Sequence, residues 1–232
     1  HATPTPVVNG PTVVCKNSVN TWSTANNAPN NTYTWNVVGA TILTGANASS
    51  ATIQSGAAGF TVAVTETVVA TGCTKTSTTV NVSVLDAPNP TITRDGTGAI
   101  GGACLNQTIT YGNVDPIAAS PSYNYQWTVT NGTVTGGTTG TTVTVTWGTV
   151  GTGSVSLTKW HDGSQCSTTV SQSVAITNNP APAIAGPTTV CGGAEHTYST
   201  TNVVGNTYSW SAGANGTITG GGSTNAATIE FG

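Results

Sequence analysis

Cysteine is the residue type in this chain whose number and spacing point most directly to chemistry. The five cysteines, Cys15, Cys73, Cys104, Cys166 and Cys191, include no Cys-x-x-Cys pair of the kind that ligates zinc. This spacing favours disulfide bonds, which persist in oxidising, extracytoplasmic compartments. We therefore expect a chain that works outside the cytoplasm, in a fold that places its cysteines where they can pair.

Histidines and carboxylates offer no second kind of site. An N-terminal histidine can chelate copper through its amine and ring, but His1 lies on a linker and its candidate partners, His161 and His196, lie in other segments. None of the seven acidic residues falls in an Asp-x-Asp-x-Asp-Gly calcium loop. No two carboxylates are evidently placed as a glycosidase needs. We predict no metal, no cofactor and no catalytic residue, and hence a protein that is not an enzyme.

Composition favours β-sheet and excludes two classes of partner. Only 5% of the residues are charged, and Thr, Gly and Val are the most frequent residue types, which is typical of strands and turns. The four Lys and Arg residues are scattered and the net charge is -3, so no basic patch is available for nucleic acid or an anionic membrane surface. No apolar run reaches the roughly 18 to 20 residues of a spanning helix. We predict neither nucleic-acid binding nor membrane insertion.

Three copies of one unit must position the cysteines. Each copy opens with Pro-x-Pro, at residues 4–6, 88–90 and 180–182, and then reaches a first cysteine at Cys15, Cys104 or Cys191. A Tyr-x-Trp segment follows in each copy, and residues two apart on a strand share one face. We predict that this face is the core, which makes six residues core aromatics: Tyr33, Trp35, Tyr125, Trp127, Tyr208 and Trp210.

The later part of each copy predicts more strands. Alternating segments end at Gly56, Gly148 and Gly232, and copies one and two continue to a second cysteine, Cys73 or Cys166. Short strands separated by Asn-Gly and Gly-Gly turns, without helical periodicity, predict an all-β chain of tandem Ig-like β-sandwich repeats. We place complete repeats at 1–86 and 87–178 and an incomplete one at 179–232.

The order of these motifs resembles the PKD-like (polycystic-kidney-disease-like) repeats of large bacterial surface and secreted proteins. The motifs are Gly-Pro-Thr-x-x-Cys (186–191), Tyr-x-Trp, Asn-Gly-Thr-Ile-Thr-Gly-Gly (215–221) and Thr-Trp-Gly (146–148). Copy one departs from the pattern, with Gln54-Ser55-Gly56 in place of Thr-Trp-Gly. The resemblance implies a PKD-like sandwich used as a spacer, adhesin stalk or structural module, and it carries over no catalytic residues.

We expect the cysteines to pair within repeats, Cys15 with Cys73 and Cys104 with Cys166. The two pairs would close loops of similar length, roughly 60 residues, and each would contribute roughly 4 kcal/mol in the chain-entropy model. Cys191 is then left unpaired, because copy three reaches Gly232 before the block that holds a second cysteine. Either the natural chain continues past Gly232 and supplies that block, which we favour, or a neighbouring subunit donates strands that complete the fold.

Two functions remain open on the sequence alone. The first is an extracellular structural or adhesive repeat protein of a bacterial cell surface, a fibre subunit that associates head to tail with itself or with neighbouring repeats. Ile229 and Phe231 at the open end are its candidates for interchain contact. The alternative is a carbohydrate-binding or spacer array of a larger secreted enzyme, with surface polysaccharide as partner. An exposed tryptophan among Trp22, Trp147 and Trp160 would favour the alternative.

Overall fold

A computed structural model describes residues 3–25, 28, 30–96, 100–117, 122–162 and 166–232. His1, the residue of the copper hypothesis, lies outside this set. All regular secondary structure in the described residues is β-strand, and no helix there is long and apolar enough to cross a membrane. The chain divides into two compact units, His1–Asn178 and Asn179–Gly232. We call the segments 1–86, 87–178 and 179–232 repeats 1, 2 and 3.

Repeat 1 contains two sheets on either side of one hydrophobic core. The first sheet has the strand order β1-β3-β6-β5, and the second has the order β2-β9-β7-β4 with β8 also paired to β7. Both sheets contribute buried side chains to the same cluster, so they form a β-sandwich. The strands are β1 (Val8–Asn9), β2 (Val13–Cys15), β3 (Val19–Thr24), β4 (Asn31–Val38), β5 (Ala40–Thr44), β6 (Ser50–Ser55), β7 (Phe60–Val68), β8 (Cys73–Thr76) and β9 (Val80–Leu85).

Repeat 2 has the same topology with one strand fewer. Its sheets have the orders β10-β12-β15-β14 and β11-β17-β16-β13, and one strand, β17, pairs along the length of β16 where repeat 1 uses both β8 and β9. The all-β tandem sandwich fold predicted from the sequence is confirmed. The strands are β10 (Thr91–Arg94), β11 (Ala103–Cys104), β12 (Thr108–Val114), β13 (Tyr123–Thr130), β14 (Gly132–Thr135), β15 (Val143–Trp147), β16 (Gly151–His161) and β17 (Ser167–Thr177).

The tryptophan of the Tyr-x-Trp motif makes an equivalent hydrogen bond to a backbone carbonyl in each repeat. The indole N–H of Trp35 donates to the carbonyl of Ala48, and that of Trp127 donates to the carbonyl of Gly140, both at 2.9 Å. Both rings are buried, so this hydrogen bond satisfies the one polar atom of a large apolar side chain. The equivalent hydrogen bond in repeat 3 runs from Trp210 to Thr224 at 2.8 Å.

Repeat 1 fills its core in a different way from repeat 2, which explains its departure from Thr-Trp-Gly. In repeat 2, Trp147 packs edge-on against Tyr111, and Gly153 on β16 leaves room for the ring. In repeat 1, Phe60 on β7 packs edge-on against Trp22 instead. The small Ser55 then occupies the place of the tryptophan, and its hydroxyl donates to the carbonyl of Cys15. In repeat 1 the bulky side chain thus comes from the facing sheet: Phe60 and Ser55 stand where repeat 2 has Gly153 and Trp147. We call this the exchange of volumes, and it keeps the core filled in both repeats.

Repeat 3 is a single three-stranded sheet of order β18-β20-β19. Its strands are β18 (Glu195–Ser199), β19 (Gly216–Gly220) and β20 (Ala226–Phe231). In repeats 1 and 2 the Tyr-x-Trp strand pairs with the long strand β7 or β16, and residues 179–232 contain no such partner. Tyr208 and Trp210 therefore lie outside any strand and are half-exposed. The prediction that these two face a sandwich core is wrong.

We predict that the exchange of volumes can be transferred to repeat 2. Gly153→Phe alone should lower the free energy of unfolding by about 3 kcal/mol, because a Cβ at Gly153 already overlaps the Trp147 ring. Trp147→Ser alone should cost about 3 to 5 kcal/mol through the cavity it leaves. The double variant should recover roughly 1 to 3 kcal/mol of the summed loss, measured by urea denaturation.

Gly137→Ala is the matched control for these variants. An added Cβ there meets nothing within 4 Å, so its unfolding free energy should stay within about 0.5 kcal/mol of the parent. Strictly additive losses in the double variant would contradict the exchange.

Candidate functional site: the junction between repeats 1 and 2

A disulfide bond joins repeat 1 to repeat 2. Cys15, at the end of β2, is bonded to Cys166, directly before β17, with 5.2 Å between their Cα atoms. Cys73, Cys104 and Cys191 are free thiols. The expected pairs Cys15–Cys73 and Cys104–Cys166 are therefore wrong.

Strand direction explains why the cysteines of one repeat do not meet. β2 is parallel to β9, and β8 and β9 both run antiparallel to β7, so β2 and β8 point the same way. Cys15 ends β2 whereas Cys73 begins β8, which puts the two at opposite ends of one sheet, roughly 30 Å apart at about 3.3 Å per residue. Cys104 ends β11, which is parallel to β17, so it is separated from Cys166 in the same way.

A buried ion pair lies at the same end of repeat 2. The ammonium group of Lys159 donates to Asp115 at 2.8 Å, and the two side chains are only 4% and 5% exposed. Asp115 also accepts the backbone N–H of Asn89, in the linker between the repeats, at 3.1 Å, and that of Ile117 at 2.9 Å. The carboxylate is thus bound by three donors, and one of them comes from the linker that leads out of repeat 1.

His161 and Tyr123 complete the polar cluster. The Nε2 atom of His161 donates to the carbonyl oxygen of Asp86, the last residue of repeat 1, at 3.1 Å. The ring of Tyr123 lies against the His161 ring, with 4.5 Å between centroids, and under the Lys159 ammonium at 3.9 Å. The carboxylate of Asp86 also contacts Lys16 at 3.4 Å, but this pair is exposed and contributes little.

The cluster controls the ionisation of Asp115. Burial alone would raise the pKa of this carboxyl, but the hydrogen bond from Lys159, the backbone N–H groups and the Lys159 charge together lower it below its ordinary value. Burial also raises the pKa of the Tyr123 phenol, and the Asp115 charge adds to that rise. At neutral pH the junction therefore holds an ionised Asp115 beside a neutral Tyr123.

The aromatic residues selected from the sequence lie in the core rather than at a site. Tyr33, Trp35 and Trp127 are buried, and Tyr125 is half-buried against the repeat 2 core. Of the tryptophans considered for stacking on a sugar, Trp22 and Trp147 are fully buried and Trp160 is half-buried.

The two candidates for interchain contact differ in accessibility. Ile229 is 6% exposed, in the middle strand of the repeat 3 sheet between His196 and Ile218. Phe231 is half-buried, with its ring against those of His196 and Tyr198. Ile229 is thus covered by its own repeat, and only Phe231 keeps surface for a partner.

Sequence reasoning missed the residues of the junction. Lys159 was counted among scattered cations, although the alternation of β16 places it on the inward face together with Val155 and Leu157. That alternation is the signal that identifies a buried cation, which in turn requires an acidic partner. Among the described residues, no group of three or more His, Cys, Asp and Glu side chains is placed to hold a metal ion.

We predict that Asp115→Asn destabilises the His1–Asn178 unit by roughly 3 to 5 kcal/mol at pH 7, because Lys159 would stay buried without its counter-charge. The parent should lose stability as the pH falls below about 4. A carboxyl whose pKa is lowered by folding stabilises above its unfolded pKa and stops doing so as the pH falls through its folded value. Urea denaturation between pH 7 and pH 3 measures both effects.

Asp86→Asn is the control, because it removes an exposed charge at the same junction and keeps the carbonyl that His161 contacts. It should change the unfolding free energy by at most about 1 kcal/mol. An Asp115→Asn variant with the acid dependence of the parent would contradict the assignment.

Comparison with solved structures finds distantly similar domains. The fibronectin(III)-like modules of Clostridium thermocellum CbhA are 14% identical, with 74% of this chain and 95% of that one covered and a TM-score of 0.44. An intimin fragment, solved with the intimin-binding domain of its translocated receptor, is 13% identical over 80% and 67% of the two chains, with a TM-score of 0.42. Three domains of the bacteriophage RB49 outer capsid protein Hoc are 12% identical over 99% and 86%, with a TM-score of 0.36. At these scores the likenesses carry no argument about function.

A family model gives the more specific result. Curated protein sequences contain no match to the chain. The model of the PKD-like domain matches residues 177–232, which include all of repeat 3. Repeats 1 and 2 share with this segment the Pro-x-Pro opening, the first cysteine and the tryptophan hydrogen bond. The chain is therefore an all-β array whose first two repeats are β-sandwiches, and its residues 177–232 are similar to the PKD-like domain family.

Proposed function

We propose that this chain is an extracellular structural repeat protein that bears tension, a spacer or stalk whose first two repeats are locked together. The observation that carries the proposal is the disulfide between Cys15 and Cys166, which joins two sandwiches instead of stapling one. A bond of this kind is stable in an oxidising compartment, which supports a location outside the cytoplasm, and we keep a bacterial surface as the more specific prediction.

The position of the disulfide determines how force passes through the chain. Tension that enters at the first strand reaches Cys15, crosses the S–S bond to Cys166 and continues toward repeat 3. The sequence separation of the two cysteines is 151 residues, so nearly all of repeats 1 and 2 lies outside the loaded path. At about 3.6 Å per extended residue, roughly 540 Å of chain cannot be pulled out while the bond is intact.

The polar cluster supports the same role without covalent chemistry. Asp115 binds the linker at Asn89, and His161 binds the end of repeat 1 at Asp86, so the connection between the repeats is held within the Pro-x-Pro segment and just before it. Breaking these contacts would remove one of the three donors to the buried Asp115 carboxylate and the hydrogen bond between His161 and Asp86, which is costly for buried polar groups. A linker fixed in this way favours a stiff connection over a flexible one.

Several parts of this proposal extend the sequence predictions. We keep the boundaries 1–86, 87–178 and 179–232, and we keep the expectation that the chain is not an enzyme. An exposed tryptophan among Trp22, Trp147 and Trp160 would have favoured the carbohydrate-binding alternative, and these three are buried or half-buried. We therefore do not adopt it.

Force spectroscopy on single chains held at both termini tests the proposal. Unfolding of the His1–Asn178 unit should release roughly 540 Å less contour length in the oxidised protein than after reduction. Cys15→Ser should release the full length under both conditions, because the disulfide that bypasses the intervening residues cannot form. Cys104→Ser is the matched control and should behave as the parent, since that thiol is free. Equal lengths for the oxidised parent and Cys15→Ser would contradict a shielded stalk.

A further inference from the structure

We infer that the outer end of repeat 1, formed by Asn31, Glu66 and Cys73, is a docking end for another repeat of this kind, and that a disulfide from Cys73 to Cys191 of a second copy of the chain closes the contact. The inference rests on the proposed structural role, because it extends the junction between repeats 1 and 2 to successive copies. It assigns partners to two thiols that are free within one chain.

Strand register makes Cys73 the counterpart of the bonded Cys166. Trp35 lies opposite Val64 on β7, and Trp127 lies opposite Leu157 on β16, so the two long strands can be matched residue by residue. Four residues after Val64, Val68 is paired with Cys73. Four residues after Leu157, the N–H of His161 donates to the carbonyl of Cys166. Repeat 1 therefore presents a thiol where repeat 2 receives the cysteine of the repeat before it.

Glu66 is the second feature of this end that calls for a partner. By the same register it corresponds to Lys159, and it lies on the inward face of β7, one pleat from Val68 and Cys73. Its side chain is buried, and one carboxylate oxygen accepts a hydrogen bond from Asn31. The other oxygen, Oε2, is buried without a hydrogen-bond partner. At the equivalent end of repeat 2, Asp115 binds both Lys159 and a linker N–H, so a donor from a docked repeat fits Glu66.

Cys191 has the features of the first cysteine in the other two repeats. The residue two positions after this cysteine has a positive φ in every repeat: 58° at Asn17, 63° at Asn106 and 72° at Gly193. The N–H of that residue donates to the carbonyl of Phe231 at 2.6 Å in repeat 3, as it does to Trp147 at 2.7 Å in repeat 2. Cys191 is also exposed, whereas Cys104 is half-buried. Cys191 of a second copy can therefore bond to Cys73 as Cys15 bonds to Cys166 within the chain.

The covalent step needs an oxidant that is itself a disulfide. The thiolate of one cysteine attacks the oxidant, RSSR, and releases one RS⁻. The thiolate of the other cysteine attacks the resulting mixed disulfide and releases the second RS⁻. Two cysteine thiols and RSSR thus give the Cys73–Cys191 disulfide and two molecules of RSH. Docking makes this pair form in preference to others, because it raises the effective concentration of one thiol beside the other.

Oxidation of the purified chain with glutathione disulfide tests the inference. Non-reducing electrophoresis should show a ladder of multimers, and mass-spectrometric mapping should find Cys73–Cys191 at least about tenfold above Cys191–Cys191 and Cys73–Cys104. Cys73→Ser and Cys191→Ser chains should each fail to form the ladder, and a mixture of the two should stop at a dimer. Cys104→Ser should keep the ladder.

Glu66→Gln separates docking from random thiol oxidation. It keeps the side-chain size but replaces part of the acceptor with a donor, so formation of Cys73–Cys191 should slow roughly tenfold while the thermal unfolding temperature stays close to that of the parent. Pairing of Cys73 in the statistical ratio found in guanidinium, or an unchanged rate in Glu66→Gln, would overturn the inference. Either result leaves the force shielding by Cys15–Cys166 untouched, so the two proposals fail separately.

Discussion

The direction of the strands that carry the cysteines is the constraint on which this structure depends. The first cysteine of a complete repeat ends a strand, and the second begins a strand or directly precedes one that runs the same way. Two such residues lie at opposite ends of a sandwich whatever the length of the loop between them. A bond between first and second cysteines must therefore cross from one repeat to the next, and the disulfide becomes a connector between domains.

A connector of this kind leaves each sandwich to be stabilised by its own core. Each repeat is stabilised by buried tryptophan rings and by hydrogen bonds between hydroxyl groups, rather than by ion pairs. Trp35 and Trp127 bury large rings with their N–H groups satisfied, and the exchange of Phe60 for Trp147 keeps the second half of the core filled. On the outer faces, cross-strand hydroxyl pairs hydrogen-bond at 2.7 to 3.1 Å, as in Thr110–Thr144 and Ser156–Ser171. The stability of one repeat thus needs no partner cysteine.

The sequence was sufficient for the fold and insufficient for the site, for identifiable reasons. Repeated Tyr-x-Trp, alternating segments and turn glycines are local signals, and they predicted the tandem sandwiches and the segments that form β6, β15 and β20. The cysteine pairing depends on strand polarity across two repeats, and equal loop lengths carry no information about it. Four cysteines allow three pairings, and the spacing of Cys15 and Cys73 suggested the wrong one. Trp210 was misjudged because its repeat motif is intact while its partner strand is not present in residues 179–232.

Charged side chains of this chain meet at the junction between repeats 1 and 2. Of the four basic residues, Lys16 and Lys159 lie at the junction, and Asp86 and Asp115 lie there with them. The remaining surface is mostly neutral hydroxyl and amide groups, whose hydrogen bonds do not titrate and are not screened by salt. A change in pH outside a cell therefore acts on the connection between repeats more than on the repeats themselves. The burial of the Lys159–Asp115 pair protects it from screening by salt and also makes it costly to break. Because these charges lie at the junction, the connection between the repeats is stiff while the rest of the surface stays nearly neutral.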